Sequence, residues 1–219
     1  MEKQKNQYDY FIYSEDDTLF NLKNFKYWLR FKKICNKKNY NVGFLRTEKS
    51  PVDNSLWTTD QFFQLDEYVI INRKKYIVLK NPYYAMWIYD KKDFNSFINS
   101  EFWNLYNWRG MNSFTKLYDR EKSAVGWHGL NMDKYTATII PLKNNKVLKD
   151  SLIVHSSNKY VKERGRIHVS LNNLMKKKLI KHRVIKYSKI QLFLKELKFI
   201  LYWNLRFNFK TIKKKLFNN

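Results

Sequence analysis

The sequence predicts a mixed α/β fold followed by a basic helical tail. Three observations carry that expectation. Short aromatic and β-branched runs recur between polar turns, amphipathic helical stretches separate some of them, and past about residue 165 the pattern becomes helical and Lys-rich. Residues 1–165 are read as one α/β portion and 166–219 as a basic amphipathic tail. At 219 residues, 44% of them apolar, the chain can bury one core with an appendage.

The elements follow in order. Residues 8–13 (YDYFIY) read as a buried strand stopped by acids. Residues 22–34 read as a helix with Leu22, Phe25, Trp28 and Leu29 on one face and Lys and Arg opposite. Residues 41–46 (NVGFLR) read as one buried strand. Residues 68–72 and 76–80 flank "RKK" as a hairpin, and 85–90 (AMWIYD) form a strand leading into a helix N-capped by Asp90. Residues 135–142 and 151–157 are later strands. From about residue 172, "NNLMKKKLIKHRV" and the Leu/Phe-rich segment after it read as helices.

The chain holds 43 Lys and Arg against 19 Asp and Glu, a net charge of +24. AT-rich codon usage would raise Lys together with Asn, Ile, Tyr and Phe, but it does not explain the distribution. Residues 1–150 carry 25 basic and 17 acidic side chains, and residues 151–219 carry 18 and 2. Nucleic acid, an anionic membrane surface and a phosphorylated substrate are the partners such a charge attracts. The single cysteine, Cys35, excludes an internal disulfide and suits a reducing compartment. No apolar run approaches the ~20 residues of a membrane span. A cytoplasmic location is expected, with peripheral contact at the inner face of a membrane through the tail.

Against this charge, Glu15, Asp16 and Asp17 stand together at the end of the first strand. Residues i and i+2 of an extended chain point the same way, so Glu15 and Asp17 could present two carboxylates to one spot. Hard cations such as Mn²⁺ or Mg²⁺ take carboxylate oxygen, often beside substrate phosphates. A solvated acidic turn capping the next helix is the alternative.

A strand ending in acid-x-acid resembles the metal motif of GT-A-type glycosyltransferases. "YNVGFLRTE", "NPYYAMWIY", "REKSAVGWHG" and "IIPL…IVHSSNKY" are similar, in that order, to segments of nucleotide-sugar transferases acting on surface polysaccharides. The resemblance covers roughly residues 8–160 and implies the C-terminal portion of a GT-A-like mixed sheet with flanking helices. It implies a nucleotide-sugar donor, a glycan or glycolipid acceptor, and Mn²⁺ or Mg²⁺ held by Asp17 and His155. Glu15 or Asp16 would contact the donor's ribose or a metal-bound water. Glu121, or Asp119 near it, would be the general base, with the small residues after Glu121 forming a packed active-site turn. Tyr83, Trp87, Trp127 and His128 would line the acceptor side. In that family a nucleotide-binding half precedes the triplet. Only fourteen residues precede Glu15 here, so a separate N-terminal half is an expected partner, and the strand at 8–13 is expected to form an exposed apolar edge.

The tail fits a basic amphipathic helix at an anionic membrane or a helical pair packed on the core. The rival reading is a non-catalytic nucleic-acid-binding protein, with Lys176–Lys178, Lys181, Arg183 and Lys213–Lys215 on phosphates. It leaves the acid triplet without a role.

Overall fold

The computed structural model describes residues 1–61, 64–103, 119–126, 134–164 and 169–183. They form a mixed α/β unit of three small sheets with helices packed on them. β1 (Tyr10–Ser14) pairs antiparallel with β8 (Met86–Asp90) along its whole length. The first strand is therefore paired on one side; in this two-stranded sheet no strand among the described residues covers its other edge, and Tyr10 is exposed while Phe11 is buried. Phe11, its inward residue, stacks on Phe94 at 3.9 Å between ring centres.

The largest sheet has the order β10 (Lys146–Val147), β9 (Ala137–Lys143), β7 (Lys74–Val78), β6 (Leu65–Ile71), β12 (Met175–Lys181), and β3 (Tyr40–Val42) joins β9 in parallel. The β6–β7 hairpin turns on Asn72 and Arg73, both with positive φ, the backbone a two-residue turn requires. The third sheet has the order β2 (Thr18–Leu19), β11 (Leu152–His155), β4 (Leu45–Lys49), β5 (Leu56–Thr58), with β4 and β11 parallel.

The single strand expected at residues 41–46 is two strands in two sheets, joined at Gly43. A Cβ there would lie 2.9 Å from Leu79 Cδ1 and closer still to Thr138 Cγ2. Only glycine lets the chain cross so near the larger sheet while passing from β3 to β4.

α1 (Leu22–Asn36) starts at Asn21, whose side chain accepts from the backbone N–H groups of Lys23 and Asn24, while the Asn24 side-chain oxygen accepts from the Asn21 N–H. The cap is thus Asn21, not the acid triplet. Asn24 also donates to the carbonyls of Asp150 and Leu152, tying the helix to the start of β11. Trp28, Phe31 and Cys35 of α1 belong to the main core, with Phe44, Tyr76, Met86 and Ile139. α2 (Lys91–Ile98) is N-capped by Asp90 as expected, through the Asp93 N–H at 2.9 Å. It packs Phe94 and Phe97 on Trp87 and Tyr89 of β8.

The helix expected over "LMKKKLIK" is corrected to strand β12, parallel to β6, with Leu174 buried among Leu65, Ile77 and Ile140. Its register shifts between Met175 and Ile180, so no simple alternation marks the segment. The rest of the predicted tail, residues 184–219, lies outside the described residues.

Candidate functional site

The chain leaves β1 at Ser14 and places Glu15, Asp16 and Asp17 in a short loop before β2. The loop lies beside β4, whose residues 46 and 48 project from one face. Arg46 reaches one end of the loop directly, and Glu48 reaches the other only through His155 of β11.

At the first end, Arg46 is a buried cation, 5% exposed. Its Nε and Nη2 donate to the two carboxylate oxygens of Asp60 at 2.9 and 3.0 Å, and its Nη1 reaches Glu15 Oε2 at 3.5 Å. Burial opposes the Arg46 charge, but Asp60 outweighs it, so the guanidinium sits above the ordinary arginine value. Glu15 is 6% exposed and accepts from the Tyr83 hydroxyl at 2.5 Å. Burial first, then this hydrogen bond to Glu15, push the Tyr83 phenol well above its ordinary value, keeping it a donor. The Glu15 N–H donates to the carbonyl of Ala85, a residue with positive φ.

At the second end, Asp17 Oδ2 lies 2.8 Å from His155 Nε2. These two residues are 138 apart in sequence and meet because β2 pairs with β11, Thr18 opposite His155. The backbone carbonyl of Asp17 also accepts from the Ser156 N–H at 2.8 Å. His155 is 2% exposed, with Nδ1 against Glu48 Oε1 and its ring stacked on Tyr160 at 5.2 Å. Glu48 is wholly buried, and its other oxygen accepts from the Val161 N–H at 2.7 Å. Asp17 Oδ1 and Thr18 Oγ1 are buried with no hydrogen-bond partner among the described residues.

The structure sorts the expected residues. Asp17 and His155 come together. Glu15 is buried and engaged by Arg46 and Tyr83; Asp16 between the two anchored ends is exposed. Tyr83 is half-buried and committed to Glu15, with Arg46 over its ring at 5.5 Å. Trp87 is a core residue, 2% exposed, stacked on Tyr89 and donating its indole N–H to the Ser123 carbonyl. Asp119 and Glu121 fall on α3 (Asp119–Val125), which packs along β1 and β8; Asp119 is exposed. The small residues after Glu121 serve packing: Ala124 is buried, and Gly126, at φ +56°, leaves no room for a Cβ beside Tyr89 Oη and Trp87. Trp127 and His128 lie outside the described residues.

Sequence reasoning missed Arg46, Glu48 and Asp60. The available signal was the pair of opposite charges at alternate positions of "LRTEK", in a segment otherwise apolar enough to be buried.

A cation fits this site in part. Among the described residues no group of three His, Cys, Asp or Glu side chains converges on one point, because Glu48 and Asp17 take opposite nitrogens of the same ring. One imidazole and one carboxylate remain, the second oxygen of that carboxylate buried and unpartnered among the described residues, a donor pair that suits Mn²⁺ better than Mg²⁺ and leaves the other positions to substrate oxygen and water. Ser157 Oγ lies 3.0 Å from Nε2 and 3.3 Å from Nδ1. An oxygen so nearly equidistant lies on neither lone-pair axis, so Ser157, His155 and Glu48 do not form the aligned nucleophile, base and orienting acid of a hydrolase.

Comparison with protein-family models, with curated proteins and with solved structures returned no match to this chain. Among the described residues no helix is long and apolar enough to cross a membrane.

Proposed function

We propose that this chain acts in metal-dependent transfer of a sugar from a nucleotide-sugar donor to a polysaccharide or glycolipid. The observation that supports this most is the meeting of Asp17 and His155 at 2.8 Å, with Asp17 Oδ1 buried and unpartnered among the described residues. Asp17 and His155 would hold the cation, which supplies positive charge to the diphosphate of the donor as it leaves. Asp16, exposed between the two anchored ends of the loop, would meet the solvent side of a bound donor. The hold of Arg46 on Glu15 and of His155 on Asp17 fixes the loop before any ligand arrives, the preorganisation that electrostatic catalysis requires.

The test is Mn²⁺ titration followed by electron paramagnetic resonance, with and without UDP- and GDP-sugars, on the wild type and on Asp17→Asn and His155→Ala. Wild-type Mn²⁺ binding strengthened by a nucleotide-sugar, and abolished in both variants, is the expected result. No Mn²⁺ response, together with oligonucleotide binding that falls steeply with salt, would overturn the assignment in favour of nucleic-acid binding.

A further inference from the structure

We infer that Glu48 is the positioning residue of this site: it holds the His155 ring so that Nε2, and not Nδ1, faces the acid loop. The inference rests on the reading that Asp17 and His155 take a cation.

A buried carboxylate is retained only where its oxygens are engaged, and Glu48 has both engaged. One meets His155 Nδ1 and the other accepts from the Val161 N–H at the start of α4 (Lys159–Arg164). The parallel pairing of β4 with β11 puts Thr47 beside Val154, so the next residues, Glu48 and His155, lie side by side by construction rather than by side-chain reach. Tyr160 lies on the ring face and blocks tilting. A half-turn of the imidazole would set a carbon against Glu48 and take Nε2 away from Asp17. The Glu48 contact therefore selects one of the two ring orientations. Outer carboxylates of this kind orient ligating imidazoles and strengthen them as donors.

Glu48→Gln tests the role without changing the side chain's shape. The amide has one acceptor atom, and the Val161 N–H requires it. The amide NH₂ must then face Nδ1, which can receive it only through a lone pair. The ring proton is then held on Nε2, pointing at Asp17, and must leave or shift back to Nδ1 against the amide before Nε2 can take a cation, which weakens binding.

Two measurements decide the matter, with circular dichroism confirming that the variant is folded. Long-range proton–nitrogen correlation spectra of metal-free protein should show a protonated, hydrogen-bonded Nδ1 in the wild type and a bare Nδ1 in Glu48→Gln. Mn²⁺ affinity should fall by about 10- to 100-fold in the variant. A variant that keeps the Nδ1 proton, or binds Mn²⁺ as the wild type does, would overturn the assignment. If the wild type takes no Mn²⁺, the cation reading fails, while the nitrogen spectra still judge Glu48 by itself. If Glu48→Gln does not fold, the wild-type spectrum decides: an Nδ1 without a proton overturns the role.

Discussion

Removing the Arg46 guanidinium would leave Glu15 and Asp60 buried without the cation that neutralises them. Arg46→Met should therefore lower stability by about 3–5 kcal/mol, measured as the shift in denaturant midpoint. Tyr83→Phe deletes one hydrogen bond to the same carboxylate and should cost about 1–3 kcal/mol. Because both residues hold Glu15, the double variant should depart from additivity by more than about 0.5 kcal/mol. Additive losses would mean that the two contacts act on the loop independently. At this scale the sequence was legible where chemistry is unusual against its background: three acids in a basic chain drew the eye to Asp17, and a late histidine at a strand end to His155. The partners of Glu15 were not legible, because a contact between residues 15 and 46 depends on which strand lies beside the loop.

At the level of elements, Gly43 carries the passage between two sheets. Gly43→Ala must push Thr138 and Leu79 aside and should destabilise by about 1–3 kcal/mol, as overpacking does. Adding Thr138→Ser, which deletes the nearer methyl, should recover part of the loss in the same denaturation experiment; no recovery would place the strain in the backbone. The helices were legible from local rules. α1 forms where expected, but its buried face is Tyr27, Trp28, Phe31 and Cys35, while Leu22 and Leu29 of the expected face are exposed; α2 follows its Asp90 cap. The sheet switch at Gly43 and strand β12 were not, for reasons of environment. An edge strand tolerates lysine, and the shifted register of β12 removes the alternation that would have separated it from a basic helix.

For the molecule as a whole, Cys35 reports on the integrity of the core. It is the sole cysteine, fully buried among Phe31, Tyr76 and Tyr27, and burial pushes its thiol up to about 12. Native protein at neutral pH should therefore resist thiol reagents, and the labelling rate should rise with denaturant in step with global unfolding. Labelling that runs well ahead of the spectroscopic transition would show that α1 detaches from the sheets before the rest unfolds. The overall class, mixed α/β, was legible because strand and helix periods alternate along the chain. The division into three sheets was not, since it is set by pairings such as β3 with β9 and β4 with β11, which join residues about a hundred positions apart.

The alternation of charge along β4 bears on how the chain avoids assembling wrongly. A strand that slides by two residues keeps every apolar side chain on its proper face, so burial alone scarcely penalises the error. Here such a slide would bring Glu48 to the place of Arg46, against Glu15 and Asp60, or Arg46 to the place of Glu48, against the histidine ring. Either exchange sets like charge on like, or strips a buried acid of its cation. The pair thus works as a key with two teeth of opposite sign, which turns only when the strand is seated in its proper notch.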